Sequence, residues 1–328
     1  MKTVESLEFH ESPIRNLPRP LYEASESELE VRRSIGRITT YVLKFLSDKY
    51  IEQGFEWLLP VVFSKSTDPL WPDPGASIER RVHCEIYGEV VNTTTSMIVH
   101  KMVACSIAFP KLFTYSPNIR IEKKERAYSG IHAYEFTQLD FEVRDASSKD
   151  IRSLVEKAVC ELIRCLRKDM REELLKLGRY ESLAEFEPPF DVYDRMTLLK
   201  SYGDQWENKI KALSKPVWIT NIPREFYDFE DFESGFWDNY DLMLPGYGEV
   251  LSGSRREWEY SKLVRKMRRD GVREEDYALL LRLAREGKLK PTAGAGIGVE
   301  RLIQWIVGAK HIGEVQPFPK IPGVVYDL

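Results

Sequence analysis

The sequence has 328 residues, with 48 basic and 52 acidic side chains and a formal net charge of -4. This near balance argues against a surface that is basic throughout, as a dedicated nucleic-acid binder would have, although it leaves room for a local basic patch. No apolar stretch approaches the roughly 20 residues of a membrane-spanning helix, and the charged amino terminus does not resemble a signal peptide. The composition predicts a soluble, cytoplasmic protein with one large domain.

The cysteines give no sign of a metal or redox centre. Cys84, Cys105, Cys160 and Cys165 form no CxxC pair and no metal-ligand spacing with the five histidines. Cys160 and Cys165 fall within a helical pattern, where a free cysteine usually acts as a small core residue.

The amino-terminal part predicts an arm followed by a long helix. Residues 1–25 are polar, with prolines at positions 13, 18 and 20 that favour an extended arm. From about Glu26 to Gln53, apolar residues recur at helical spacing, and Gly54 is a suitable stop. We therefore expect residues 26–328 to form one domain that begins with a scaffold helix.

Strands and a second helix are predicted next. From Phe55 to Pro74 an apolar strand is interrupted by Pro60 and followed by a proline-rich loop, which favours an edge or interface position. Residues 83–95 alternate as further strands, and Ser96 opens a helix that carries Lys101. On the pattern alone, Lys101 fits a solvated helix lysine as well as a binding residue.

Two strands with a polar connection are predicted between Ser116 and Arg144. Because strand side chains alternate between faces, each strand has one apolar and one polar side. Paired as an antiparallel hairpin, the strands would place their polar rows on one floor, a pattern that fits a ligand site but also a solvated sheet face. The polar rows comprise Asn118, Arg120 and Glu122, and Phe136, Gln138, Asp140 and Glu142.

A charged amphipathic helix is predicted from Ser147 to Leu177, and residues 178–215 are expected to form an insertion packed on the core. Further on, Asp241 and Glu249 flank a glycine-containing turn, so paired strands would bring them close together. Two carboxylates of this kind suit Mg²⁺ shared with substrate phosphates. As isolated acids they equally fit the surface.

The glycines near the carboxyl terminus favour close approach of a ligand. Gly294, Gly296 and Gly298 lead into a helix whose first turn carries Glu300 and Arg301. A glycine-rich turn before a helix is typical of phosphate binding but also occurs without a ligand.

These segments together resemble class II aminoacyl-tRNA synthetases. Arg120-Ile-Glu122 with the later His132, Phe136 and Asp140 is similar to motif 2, and YEFTQLDFE is similar to the aspartyl and asparaginyl branch. GAGIGVERL resembles motif 3, and Gly54, Phe55 and Pro60 resemble motif 1, which builds the dimer interface. From about residue 26 to the end, the resemblance implies an α+β fold in which an antiparallel β-sheet is flanked by α-helices, working as a homodimer.

The resemblance also implies roles for individual residues, with ATP and Mg²⁺ as cofactors. Phe136 would stack on adenine opposite Arg301, and Arg120 would contact the α-phosphate; Arg120 and Arg301 would be the catalytic residues. Glu249 and Asp241 would bind the metal, although Asp241 is one residue further from Glu249 than the family pattern has it. The implied ATP-binding residues are Arg120, Glu122, His132, Phe136, Gln138, Glu249 and Arg301, and the implied aspartate-binding residues are Ser96, Lys101, Gln138, Asp140 and Arg256.

The segment that precedes the first core helix suggests which reaction to expect. Aspartyl- and asparaginyl-tRNA synthetases have an anticodon-reading β-barrel of roughly 100 residues there, whereas this chain has a short arm. TDPLWPDP, REWEY and VGAKHI are similar to a group of archaeal asparagine synthetases related to asparaginyl-tRNA synthetase. The expectation is that aspartate, ATP and free ammonia give asparagine, AMP and pyrophosphate through a β-aspartyl-adenylate.

Two alternatives stay open at this point. One is a truncated aspartyl- or asparaginyl-tRNA synthetase paralogue that activates the α-carboxylate, and the other is a non-catalytic paralogue that binds an adenylate. On the main interpretation the partners are aspartate, ATP and ammonia as small-molecule substrates and a second copy of the chain, with no membrane, and tRNA is not expected as a partner.

Overall fold

A computed structural model describes residues 16–70 and 78–328. Most of the predicted arm, at residues 1–15, and part of the predicted proline-rich loop, at residues 71–77, lie outside the described residues. The described end of the arm packs on the domain, since the Pro18 carbonyl accepts a hydrogen bond from the Tyr326 hydroxyl at 2.8 Å.

The architecture is a large sheet flanked by helices, as the resemblance implies. Fifteen strands are assigned within the described residues. They are β1 (Glu56–Trp57), β2 (Phe63–Ser64), β3 (Ile78–Arg80), β4 (His83–Ile86), β5 (Glu89–Thr93), β6 (Lys111–Ile119), β7 (Ile121–Glu122), β8 (Glu135–Arg144), β9 (Asp191–Asp194), β10 (Val217–Thr220), β11 (Glu230–Asp231), β12 (Phe236–Trp237), β13 (Asn239–Leu244), β14 (Gly248–Arg255) and β15 (Thr292–Gly298).

Eight of these strands form the main sheet, in the order β1-β6-β8-β15-β14-β13-β10-β9. The six strands from β6 to β10 are antiparallel to their neighbours, while β1 and β9 add to the two edges in parallel. Short antiparallel sheets of β2-β5-β4, β3-β7 and β11-β12 lie beside it. The mixed but mainly antiparallel sheet confirms the predicted fold class.

Helices pack on the main sheet and enclose its core. The assigned α-helices are α1 (Glu26–Glu52), α2 (Ile98–Ile107), α3 (Ser148–Asp169), α4 (Arg171–Lys176), α5 (Arg195–Tyr202), α6 (Trp206–Lys211), α7 (Tyr260–Asp270), α8 (Ala278–Arg285) and α9 (Val299–Val307). The apolar stripes of α1, α3 and α9 meet the sheet in one buried cluster that includes Ile38, Leu162, Ile303, Phe141 and Trp218. Capping boxes at Ser25 and Ser147 define where α1 and α3 begin.

The predicted hairpin is confirmed. Strands β6 and β8 pair antiparallel from Lys111 opposite Val143 to Ile119 opposite Glu135. In β8, Leu139 and Phe141 face the helix-covered core, which leaves Gln138 and Asp140 on the opposite face of the sheet. The polar side of β8 is therefore as predicted. The predicted polar row of the first strand is only partly correct, because β6 ends at Ile119, and Glu122 lies in β7, which pairs with β3.

Several predicted elements differ in detail. The strand from Phe55 is limited to the short β1 and β2, because Pro60 between them has no N–H to donate to a ladder. The helix predicted from Ser147 to Leu177 is broken at Met170. Residues 178–215 do more than pack on the outside, since they supply β9 at the sheet edge and the short helices α5 and α6.

The structure corrects the prediction for the glycine-rich segment. The sequence predicts a turn at Gly294, Gly296 and Gly298, but these residues lie in β15, a central and almost fully buried strand. Gly294 stands opposite Glu142 and Gly296 opposite Asp140 in β8. The absence of side chains at these glycines leaves room for the polar row of the neighbouring strand.

Within the described residues, no helix is both long and apolar enough to cross a membrane.

Candidate active site

A cleft lies over the polar face of the sheet and has two adjoining halves. The Arg301 half is lined by Arg301, His132 and Phe136 among others. The Arg256 half is lined by Arg256, Lys101 and Asp140 among others. The two halves share Arg120, Gln138, Glu249 and Gly296, so they form one continuous site.

In the Arg301 half, two arginines approach from different elements. The Arg120 guanidinium lies over the Phe136 ring, 5.2 Å from its centroid, and donates through Nε to the Thr95 carbonyl at 3.0 Å. Arg301, in the first turn of α9, donates to the carbonyls of Ile131 at 3.2 Å and Glu249 at 3.1 Å. Both guanidinium groups donate to backbone carbonyls, and Arg301 Nη1 also lies 3.7 Å from the Glu249 carboxylate. An anionic ligand would therefore share Arg301 with Glu249.

His132 is held as a neutral imidazole. Its Nε2 lies 2.6 Å from the Arg126 guanidinium, which can only donate, so Nε2 accepts and Nδ1 carries the proton toward Ser129 Oγ at 2.6 Å. Burial lowers the pKa of His132 to about 3, and the nearby Arg301 and Arg126 act in the same direction. His132 can therefore accept or donate hydrogen bonds but does not contribute a positive charge near neutral pH.

Glu122 lies in β7 as a buried carboxylate with one free oxygen. Its Oε2 is buried without a hydrogen-bond partner, and Arg126 Nε is 3.8 Å away. Burial raises the pKa of Glu122, against the opposing effect of Arg120. A buried acceptor with no donor is costly, which is consistent with a ligand donor at this position.

Gln138 and Gly296 form the floor where the halves join. The Gln138 Oε1 atom accepts from Asn118 Nδ2 at 2.6 Å, which fixes the amide so that its Nε2 is the remaining donor group. A Cβ on Gly296 would lie 2.9 Å from both Gln138 Nε2 and Asp140 Oδ1. The missing side chain thus keeps the floor open.

In the Arg256 half, Lys101 is fully engaged with the sheet. Its Nζ donates to Asp140 Oδ1 at 2.7 Å and to the Ala295 carbonyl at 3.1 Å, and only 2% of its side chain is exposed. Asp140 also accepts from Ser116 Oγ at 2.6 Å. This burial rules out the solvated helix lysine. Ser96 lies just before α2, and its hydroxyl accepts from Ile98 N at 3.2 Å.

Arg256 makes internal contacts with all its donors. Nε donates to Glu142, Nη1 to Asp228 and Ser254, and Nη2 to Glu142 and the Gly294 carbonyl, at distances from 2.6 to 3.5 Å. A guanidinium has five N–H bonds, so each is matched. Binding of a substrate carboxylate by this fork would require some of these contacts to be exchanged.

Asp241 and Glu249 lie on the paired strands β13 and β14, as predicted. The ladder has a register shift between Leu242 and Met243, which places Ser252 opposite Asp241 and Glu249 opposite Met243. A shift of this kind absorbs one extra residue. The extra residue here is Val250, which lies opposite no residue of β13.

The carboxylate oxygens at and near Asp241 are suitable ligands for a divalent cation. Asp241 Oδ1 is buried without a hydrogen-bond partner, and Oδ2 accepts from Arg224. Burial raises the pKa of Asp241 to about 7, and the charge of Glu249 acts in the same direction, while Arg224 opposes the shift. No three metal-ligating side chains converge among residues 16–70 and 78–328, so a metal here would take two carboxylates and complete its shell from phosphates or water.

Three further acids line the Arg256 half and are not among the predicted site residues: Asp68, Glu225 and Asp228. Burial raises the pKa of Asp68 and of Glu225. Asp228 accepts from Ser254 Oγ and Arg256. Glu225 and Asp228 lie with Arg224 in the single segment NIPREFYD, whereas Asp68 comes from a separate loop, so no local pattern in the sequence groups the three acids.

Comparison with known proteins identifies relatives of this chain. The family model described as tRNA synthetases class II (D, K and N) matches residues 37–322. The asparagine–tRNA ligase of Thermoplasma acidophilum is 26% identical over 310 residues, covering 88% of this chain and 69% of the relative. The asparagine–tRNA ligase of Clostridium novyi is 27% identical over 269 residues, covering 73% of this chain and 57% of the relative.

A solved structure shares the fold. The asparaginyl-tRNA synthetase from Pyrococcus horikoshii complexed with asparaginyl-adenylate has a TM-score of 0.79, with 22% identity over 94% of this chain and 76% of that chain. At this identity the likeness concerns the fold alone.

The comparisons correct one expectation. The prediction that tRNA is not a partner is wrong, because the curated relatives aligned with most of this chain are ligases of asparagine and tRNA. The prediction rests on the shortness of the segment before the first core helix. The length of that segment does not identify the acceptor.

Proposed function

Because this chain belongs to the family of class II tRNA synthetases for D, K and N, we propose that it is an AMP-forming ligase that activates the α-carboxylate of aspartate or asparagine. The acceptor in this proposal is tRNA, as the names of the curated relatives suggest. The finer alternative, ammonia-dependent asparagine synthesis from aspartate, uses the same adenylating residues.

The observation that supports adenylation most directly is the continuity of the cleft. Arg120, Gln138, Glu249 and Gly296 line both halves. ATP in the Arg301 half and an amino acid in the Arg256 half would therefore meet above these residues. Holding two reactants together in this way removes much of the entropic barrier of a bimolecular step.

The proposed step is attack of a carboxylate oxygen on the α-phosphorus of ATP. The new P–O bond gives the acyl-adenylate, and the bond to pyrophosphate breaks. Arg120 would stabilise charge at the α-phosphate and Arg301 at the leaving pyrophosphate, while Phe136 would stack on adenine. Glu122 and neutral His132 would frame the nucleotide.

Asp241 and Glu249 would hold Mg²⁺, as the partnerless Oδ1 of Asp241 supports. When bound, Mg²⁺ neutralises phosphate charge and orients the phosphates. The chain's own contribution is to place two carboxylates on adjacent strands beside the join of the cleft.

The Arg256 half would bind the amino acid through side chains of both charges. Asp140 would contact the amino group, and Ser96, Lys101, Gln138 and Arg256 would form the rest of the pocket. In the second step the acceptor attacks the activated carbonyl carbon and AMP leaves.

One feature favours the second candidate function, amide synthesis. Asp68, Glu225 and Asp228 form an acidic wall in the same half, and carboxylates are suitable partners for an ammonium ion. In that reaction the β-carboxylate would be activated, and ammonia would displace AMP to give asparagine.

The test is pyrophosphate exchange into ATP by the purified protein with Mg²⁺, assayed with aspartate and asparagine separately. We expect exchange that depends on one of these amino acids, and Arg301→Ala should lower its kcat/KM by about 100-fold, as for other single residues that stabilise transition-state charge. Arg282→Gln, an exposed arginine of α8, is the matched control and should leave the rate unchanged. Unaltered exchange in Arg301→Ala would contradict the proposed nucleotide site.

The acceptor is then identified from product formation. Aminoacyl-tRNA formed with AMP supports the proposal. Asparagine formed from aspartate and ammonium without tRNA supports amide synthesis instead. Amino-acid-independent binding of ATP with no exchange would leave only a non-catalytic nucleotide-binding role.

A homodimer is also part of the proposal. Trp57 of β1, Leu59 in the loop that follows and Phe63 of β2 have exposures of 53%, 88% and 47%. Apolar side chains grouped at a short sheet edge suggest a surface that a second copy covers.

A further inference from the structure

Arg224 contacts the carboxylate that is expected to bind the metal. It lies in the segment after β10, outside the β13–β14 pair that carries Asp241 and Glu249. One terminal nitrogen donates to Asp241 Oδ2 and the other to Ser252 Oγ. The guanidinium therefore bridges both strands from a third element.

The charge of Arg224 is strongly favoured at this position. A guanidinium stays protonated in proteins, and this one forms an ion pair with Asp241 in which the two side chains are only 16% and 10% exposed. A permanent positive charge thus neutralises the acids that a divalent cation would need.

The other oxygen of Asp241 has no such partner. Oδ1 is buried and accepts no hydrogen bond, although Oδ2 is satisfied by Arg224. A buried carboxylate with one vacant oxygen is normally completed by a donor or an ion. The site therefore has one position filled by a guanidinium and one open to a ligand.

We propose that Arg224 and a divalent cation compete for Asp241. This inference rests on the proposed role of Asp241 and Glu249 as metal ligands. Mg²⁺ binds carboxylate oxygens at about 2 Å, and its double charge repels a guanidinium on the same carboxylate. Metal binding displaces Arg224 from Asp241 into the Arg256 half, which it already lines.

A consequence is that metal affinity depends on the phosphates. Without a nucleotide, the metal must displace Arg224 from Asp241 and gains only two carboxylate ligands in return. With ATP, phosphate oxygens add ligands for the metal and an anionic partner for the released guanidinium. Arg224 thus favours entry of the metal together with the nucleotide over entry of the metal alone.

The experiment measures Mn²⁺ binding to the nucleotide-free protein by electron paramagnetic resonance, with Mn²⁺ as the probe for the Mg²⁺ site. Arg224→Gln should bind Mn²⁺ about tenfold more tightly than wild type, because a charge-assisted hydrogen bond to Asp241 no longer has to be broken. Arg224→Lys keeps the charge and should stay closer to wild type. Asp241→Asn should abolish the binding.

The control separates competition from a general loss of positive charge. Arg120→Gln removes the same charge from the same cleft, but Arg120 donates its Nε hydrogen bond to Thr95 and not to Asp241. Competition predicts that Mn²⁺ affinity increases clearly more in Arg224→Gln than in Arg120→Gln. Circular dichroism of each variant confirms that it is folded.

The possible failures are distinguishable. If Asp241→Asn abolishes Mn²⁺ binding but Arg224→Gln binds no more tightly than Arg120→Gln, competition is wrong while the metal assignment stands. If Asp241→Asn leaves binding unchanged, the metal assignment fails and competition fails with it. Weaker binding by Arg224→Gln would also overturn the inference, because it would make Arg224 a support for the metal.

Discussion

The charge of His132 is decided by its immediate neighbours. Arg126 donates to one ring nitrogen and Ser129 accepts from the other, an arrangement that only the neutral ring satisfies. Burial together with the nearby arginines lowers the pKa of His132 to about 3. In an unfolded chain this ring would take up a proton near the ordinary histidine pKa of 6.5, so folding and protonation are linked.

This linkage predicts a pH-dependent stability. Below pH 6.5 the unfolded state binds a proton that the folded state does not, so stability falls as the pH drops towards 3, by up to about 1.4 kcal/mol per pH unit. His132→Gln should lose less stability on acidification than wild type. Urea unfolding between about pH 7 and pH 4 measures the difference, with the exposed His83→Gln as control. Parallel curves for wild type and His132→Gln would contradict the neutral ring.

At the scale of elements, glycines of β15 lie opposite acidic residues of the neighbouring strand β8. Gly294 faces Glu142, and a Cβ at Gly294 would lie 2.2 Å from both Glu142 Oε2 and the Phe141 carbonyl oxygen. Beyond the end of this ladder, Glu300 of α9 accepts from Thr137 N at 2.9 and 3.0 Å. Glu300 therefore joins the helix that carries Arg301 to the strand that carries Phe136.

The same substitution at two glycines should have opposite effects. Gly294→Ala overpacks a central strand and should destabilise the protein by more than about 2 kcal/mol. Gly36→Ala is the matched control, because its Cβ would meet nothing within 4 Å on the exposed side of α1. There alanine should stabilise by about 0.5–1 kcal/mol through its helix propensity. Urea denaturation tests both, and a neutral Gly294→Ala would show that the two strands are not in this register.

At the scale of the whole molecule, ion pairs join the two faces of the cleft. Lys101 connects α2 to Asp140, and Arg256 connects the end of β14 to Glu142 and Asp228. These side chains are buried, so loss of one partner would leave an uncompensated charge. Strand β1, with the exposed Trp57, lies at the outer edge of the same sheet, and it is the edge at which the proposed second copy would pack.

The dimer proposal has a direct test. Leu59→Asp places a charge on a side chain that is 88% exposed, so it should leave the monomer fold intact but shift the protein from dimer to monomer in light scattering. Leu279→Asp changes an exposed leucine of α8, 52% accessible, and should remain dimeric. A dimer that persists in Leu59→Asp would place the interface elsewhere.

Local pattern in the sequence was enough to predict the first helix, the pairing of two strands as the β6–β8 hairpin and the polar side of β8. Alternation and helical spacing depend on neighbours in the chain, and those periods survive in the folded protein. The motif residues that lie in these elements can be assigned to a strand or a helix for the same reason. The glycines of β15 could not be assigned to a strand, because the buried residues that alternate with them, Ala293, Ala295 and Ile297, give only a weak hydrophobic period. Local pattern then favours a turn.

Only the tertiary structure decided how the charges are paired. Arg256 with Glu142 and Asp228, and Arg224 with Asp241, are contacts between residues far apart in the chain. No spacing rule reveals them, since it is the strand order of the sheet that brings the partners together. Buried charges must find partners or ligands, and the sheet topology determined which ones they found.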